Sequence, residues 1–90
     1  MKVLFGRRAR SDLMSQIAWL AEHAPGAAAV AADQVDAAVE LLGDFPLVAP
    51  AVGDLFRELP VDFGRDGFVL RYKVTDVVTI VRVFHGRQRR

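Results

Sequence analysis

Arginine dominates the second half of this chain, and its placement points to anion chemistry. Arg71 and Lys73 alternate along one short stretch, and Arg82 follows. Arg87, Arg89 and Arg90 come after it, with no acid beyond Asp76. Guanidinium groups bind carboxylates and phosphates through paired N–H donors, so several on neighbouring strands could clamp phosphates or an acidic protein surface. The same residues could instead make a solvated sheet face whose arginine stems cover apolar neighbours. His85 stands beside Gly86 and Arg87. Neighbouring guanidinium groups disfavour the charged imidazole, which would leave a neutral base at about pH 7. A strand-end histidine that hydrogen-bonds the backbone is the plainer alternative, since acid–base chemistry needs a partner that the sequence does not identify.

Other residues carry weaker signals. Asp33, Asp36 and Glu40 share one helical ridge and read as a wet face, because no histidine accompanies them. Trp19 falls off the centre of its helix's apolar side, so it either packs at a hairpin edge or anchors a partner. His23, at a helix C-terminus, suits the helix dipole. Gly64-Arg65-Asp66-Gly67 is a turn by composition and lacks the lysine-serine/threonine of a phosphate loop. Ser11 and Asp12 read as first-turn residues that favour a helix start. The sequence has no cysteine, which excludes disulfide scaffolds and Cys-based metal or nucleophilic sites. Neither a metal centre nor a cofactor is expected.

These groups must be held by elements that 90 residues can build, and residues 1–90 are expected to form a single domain. An apolar fraction of 52% and a charged fraction of 26% exclude a disordered chain. The net charge is only +1, but it is unevenly spread: residues 1–45 carry four basic and six acidic groups, residues 46–90 eight and five. The start of the chain reaches Arg7 after too few apolar residues for a signal-peptide core, and no apolar run is long enough for a membrane span. A cytoplasmic protein without membrane contact is expected.

Val3 to Phe5 reads as a short strand stopped by Gly6. From about Arg8 to His23 the spacing is helical, with Leu13, Met14, Ile17, Leu20, Ala21 and Ala24 on one side. Ala24-Pro25-Gly26 should end it. A second helix runs from about Ala27 to Leu42, with Ala31, Val35, Ala38, Val39 and Leu42 on its buried stripe and Gly43 closing it. Asp44 to Asp54 should be a loop. The period then changes to two. Phe56 to Asp62 predicts a strand whose Pro60 demands an edge or a bulge. Phe68 to Val74 alternates, with Phe68, Leu70, Tyr72 and Val74 opposite Val69, Arg71 and Lys73. A two-residue turn at Thr75-Asp76 leads into a strand from Val77 to Phe84, where parity puts Arg82 on the face of Val78, Ile80 and Phe84. The order β-α-α-β-β-β predicts an α+β fold, an antiparallel helical hairpin packed on a mostly antiparallel sheet.

The run Ile80-Val81-Arg82-Val83-Phe84-His85-Gly86-Arg87-Gln88 resembles the C-terminal signature of toxins in the RelE/ParE superfamily. Arg10-Ser11-Asp12-Leu13 with Trp19-Leu20-Ala21-Glu22-His23 is similar to that family's first helix. Glu40-Leu41-Leu42 with Phe45-Pro46 resembles the end of its second. Arg57-Glu58-Leu59 and Gly67-Phe68-Val69-Leu70-Arg71-Tyr72-Lys73-Val74 resemble its central hairpin. No single motif is specific; five in the right order, spanning nearly the whole chain, are.

The resemblance implies the toxin half of a type II toxin–antitoxin module that arrests growth and can serve plasmid stabilisation. A cognate antitoxin, ParD-like or RelB-like, would neutralise it and supply any contact with operator DNA. In that setting Trp19, Asp33, Asp36, Glu40 and Lys73 become candidate antitoxin-binding residues. Arg71, Arg82, His85, Arg87, Arg89 and Arg90 become candidate target-binding residues. RelE-like members cut mRNA on the ribosome, which would make His85 an acid or base and give Arg71 and Arg82 the scissile phosphate. ParE-like members inhibit DNA gyrase and are not known as nucleases. Here no tyrosine follows the tail run, and Lys73 is the only lysine beyond Lys2. The low net charge is also small for a protein that must compete on ribosomal RNA. The expectation is therefore a ParE-like, gyrase-directed toxin. A ribosome-dependent endoribonuclease and a degenerate toxin that only binds its antitoxin are the alternatives.

Overall fold

A computed structural model describes residues 1–88. The elements run β1 (Val3–Phe5), α1 (Arg7–His23), α2 (Pro25–Asp44), β2 (Ala51–Val52), β3 (Phe56–Val61), β4 (Phe68–Val74) and β5 (Val78–His85). The five strands form one sheet in the order β1-β5-β4-β3-β2. Only the β1–β5 pair is parallel, so the sheet is mixed and mostly antiparallel. The two helices form a hairpin on one of its faces, the α+β arrangement that the pattern predicts.

The buried side of α1 is built from Ala9 with Leu13, Ile17 and Leu20, and that of α2 from Ala31, Val35, Ala38 and Leu42. Against them stand Phe68, Leu70, Tyr72, Val78, Ile80 and Val83 from the two central strands, all nearly inaccessible. Met14 departs from the expected stripe and is exposed. The helix boundaries also move outward. Pro25 occupies the first turn of α2, where its missing N–H costs nothing, and Gly26 and Gly43 both lie inside that helix. Neither has a left-handed backbone. The Gly43 carbonyl instead accepts the N-terminal ammonium at 2.8 Å.

Pro60 lies where β3 has outrun its outer neighbour, since β2 pairs only with Phe56 and Arg57. Its missing N–H therefore faces no strand. The connection after β4 spans three residues, 75–77, rather than two. The larger correction concerns β5. Arg71 pairs with Arg82 but Tyr72 pairs with Ile80, so Val81 is an extra residue, a β-bulge. Strict alternation would set Arg82 opposite Leu70, among the core side chains. The bulge resets the parity: Val83 enters the core and Arg82 crosses to the open face beside Arg71. Arg82 therefore shares a face with Phe84 but not with Val78 and Ile80.

The segment between α2 and β3 contains the short strand β2 and is held from below. The buried Tyr72 hydroxyl donates to the Pro46 carbonyl at 2.8 Å and accepts the Ala49 N–H at 3.4 Å. Arg57 Nη1 donates to the Ala49 carbonyl at 2.7 Å. Replacing Tyr72 with Phe keeps the ring volume but strands both backbone groups. The expected loss is about 1–2 kcal/mol, read as a lower urea midpoint with an unchanged slope.

Candidate functional site

β1 covers the edge of β5 only as far as Ile80, whose carbonyl accepts the Gly6 N–H at 2.8 Å. Beyond that point α1 takes over. Asp12 and Gln16, one helical turn apart, reach the exposed backbone of Val83: Asp12 Oδ2 accepts its N–H at 3.0 Å, and Gln16 Nε2 donates to its carbonyl at 3.0 Å. Asp12 thus lies in the body of α1, which begins at Arg7 after Gly6, and is not a first-turn residue. Its carboxylate also accepts from Arg82, at 2.8 Å from Nε and 3.5 Å from Nη2. Burial is the largest influence on this carboxyl and pushes its pKa up. The Arg82 hydrogen bond, the Val83 N–H and the charges of Arg82 and Arg8 outweigh it, leaving the pKa below the ordinary value.

The open face of the sheet brings Arg71 and Arg82 together around Phe84. Their guanidinium carbons lie 4.9 and 4.7 Å from the Phe84 ring centroid. Phe84 is only 4% exposed despite facing away from the helices. Arg71 also approaches Phe56, at 5.8 Å, and is held by Glu58 on the neighbouring strand through contacts of 2.7 and 2.8 Å. Arg71 and Arg82 are therefore each paired with a carboxylate. Lys73 sits on the same face, exposed, across from Thr79.

His85 is on the other side. Its register partner is Phe68, which places it on the helix-facing side of the sheet at the end of β5. Its Nδ1 accepts the Arg87 N–H at 3.2 Å, while its own N–H donates to Gln88 Oε1 at 3.0 Å. Arg87 pairs with Asp66 at 2.7 Å. The candidate target-binding set is thus divided between two faces, with Arg87 at the turn between β3 and β4. Arg89 and Arg90 lie outside the described residues.

Trp19 is 59% exposed. Its ring stacks on His23 at 4.2 Å, and the His23 Nδ1 hydrogen-bonds the Trp19 carbonyl. Beside it opens an almost wholly apolar cavity of about 360 Å³, lined by Gln16, Trp19, Leu20, Phe63, Phe68 and His85. Gln16 Oε1 is buried without a hydrogen-bond partner among the described residues. Asp33, Asp36 and Glu40 are exposed on the solvent side of α2. Among the described residues no group of three or more His, Asp or Glu could hold a metal ion. Lys73, on the open sheet face, is separated from Trp19 and the acidic ridge by the thickness of the sheet. Sequence reasoning missed Asp12, Glu58 and the cavity; the spacing of Asp12 and Gln16 was the one available hint.

Among the described residues no helix is long and apolar enough to cross a membrane. The family model described as the ParE toxin of the type II toxin–antitoxin system parDE matches residues 3–90. Two relatives from Caulobacter vibrioides are similar over almost their whole length. Toxin RelE1 is 35% identical over 98% of this chain and 96% of its own, and Toxin RelE3 is 39% identical over 98% and 97%. A solved structure of the chromosomal ParDE system from P. aeruginosa has the same fold, with a TM-score of 0.75 over 94% of this chain and 95% of that one, at 20% identity. With the helical hairpin, the mixed sheet and the basic strand end all in place, the chain belongs to the ParE toxin family of type II toxin–antitoxin systems.

Proposed function

We propose that this toxin acts on DNA gyrase through the open face and the basic end of β5, and that an antitoxin neutralises it from the helical side. The observation that carries this reading is the pairing of Arg71 with Glu58 and Arg82 with Asp12. Arginines that must grip a scissile phosphate need their charge free for it, and here each is already balanced by a carboxylate. The result is a nearly neutral face whose arginines lie over a buried aromatic ring, better suited to a protein surface than to a phosphate backbone. The acid–base inventory is short: the one tyrosine is buried with its hydroxyl on the Pro46 carbonyl, and His85, whose Nδ1 accepts the Arg87 N–H, has only Nε2 for proton transfer. For the antitoxin, the apolar cavity beside Trp19 offers a seat and the Asp33, Asp36 and Glu40 ridge a charged rim. An antitoxin that also reaches Lys73 has to wrap around the sheet.

Purified toxin incubated with gyrase, ATP and relaxed plasmid tests this directly. Loss of supercoiling, or linear DNA from a trapped cleavage complex, is the expected result. Undiminished supercoiling overturns the gyrase reading. Cleaved mRNA on the ribosome would then identify a nuclease, and absence of growth arrest on induction would identify a chain that only binds its antitoxin.

A further inference from the structure

The turn between β3 and β4 does more than reverse the chain. Gly67 has φ +67° and a Cβ there would overlap the Val61 carbonyl, so the turn closes only around glycine. Phe63, at its start, stacks on the buried Phe68 at 5.1 Å and ties it to the core. The end of β5 is laid against this turn. The Gly86 N–H donates to the Gly67 carbonyl at 2.9 Å, and a Cβ on Gly86 would overlap the Asp66 carbonyl oxygen. One residue later, Arg87 Nε meets Asp66 Oδ2 at 2.7 Å.

We propose that this turn is the cradle that orients the toxin's basic end for its target, with Asp66 as the positioning residue for Arg87. The inference rests on the reading that Arg87 contacts the target. The Arg87 side chain is 63% exposed, and an ion pair so open to solvent adds little to stability. What it does is restrict a long side chain to one orientation before binding. An arginine that is already ordered loses less freedom when a partner is met. Gly86 serves the same end, because only a residue without a Cβ lets the backbone lie on the Asp66 carbonyl. The two contacts fix both the path of the chain and the direction of the guanidinium. His85 Nδ1, which accepts the Arg87 N–H, braces the same residue from the other side.

The test uses the full chain and the variants Asp66→Asn, Asp66→Glu and Gly86→Ala. Three quantities are read: hydrogen exchange of the Gly86 N–H and of the Arg87 Nε–H, the dose that arrests growth on induction without antitoxin, and antitoxin affinity. Asp66→Asn should speed exchange at Arg87 and raise the arresting dose about three- to tenfold, the effect of freeing one long side chain. Asp66→Glu should restore most of it. Gly86→Ala should do more than either, and antitoxin affinity should stay within about twofold in the two Asp66 variants. Faster exchange with an unchanged or lower arresting dose would show that Asp66 merely masks Arg87 and overturns the proposal; so would unchanged exchange in Asp66→Asn. Failure of the gyrase reading is seen separately, in wild-type toxin that arrests growth but leaves supercoiling intact. A wild-type chain that arrests nothing removes both.

Discussion

Replacing Asp12 with Ala should destabilise the fold by about 3 kcal/mol, a large share of the stability expected of a domain this size. The reason is the number of groups that converge on one carboxylate. Arg82 approaches it through two nitrogens, and the Val83 N–H at the uncovered edge of β5 has it as acceptor. The Asp12 and Arg82 side chains are 14% and 25% exposed, so water can replace little of what is lost. Alanine leaves a half-buried guanidinium without a counter-charge and a strand N–H without an acceptor, and both omissions are more costly than the pair is favourable. Arg8, at 3.7 Å but largely in solvent, contributes little. For a chain of this length the melting temperature should fall by about 12–24 °C. Asp12→Asn, which keeps an oxygen for Val83, should fall by about half as much.

Acid should erase the difference. The Asp12 carboxyl titrates below its ordinary 3.8 in the folded protein. Its contribution is complete above about pH 5 and is lost as the pH falls through the unfolded-state value and then the folded-state one. The gap between wild type and Asp12→Asn should therefore close on acidification and stay constant from about pH 5 to 8. Circular-dichroism melts of the two proteins from about pH 2 to pH 8 check both statements. A gap that persists into strong acid would mean that Asp12 acts through packing and not through its charge.

The legible parts of this fold are those where one physical demand dominates. Phe68 to Val74 alternates because one face meets the helices and the other does not, and its predicted bounds are those observed. β5 misled because Val78, Ile80, Arg82 and Phe84 keep an unbroken period of two in the sequence. The only trace of the bulge is that strict alternation would bury Arg82. Helix ends read from Gly26 and Gly43 were short because neither glycine takes the left-handed conformation that stops a helix, and the carbonyl of the second accepts the N-terminus. The site was legible in residue type but not in arrangement. Arg71 and Arg82 were visible as cations, yet their partners lie 13 and 70 residues away, beyond the reach of any local spacing rule. The cavity is assembled from α1, the β3–β4 connection and the end of β5, so no stretch of sequence could announce it.

Removing the Trp19 side chain should separate neutralisation from toxicity. The ring is mostly in solvent and the ring it stacks on, His23, sits in the same helix turn, so Trp19→Ala should alter stability by no more than about 0.5 kcal/mol. In a complex the same ring borders an almost wholly apolar cavity that Leu20, Phe63 and Phe68 also line. A tryptophan in such a place is the type of residue on which binding energy concentrates, and its loss should cost about 2–3 kcal/mol, or about 30- to 150-fold in antitoxin affinity. His85 lines the same cavity. An antitoxin side chain seated there lies against the end of the strand proposed to meet the target, which couples occupancy to silence. Trp19→Ala should therefore arrest growth even when antitoxin is co-expressed, at the same induction level that wild type needs without it. Calorimetric titration of the antitoxin supplies the affinity and growth curves the consequence. Unchanged affinity would move the antitoxin to the acidic ridge of α2 and break the link between the cavity and neutralisation.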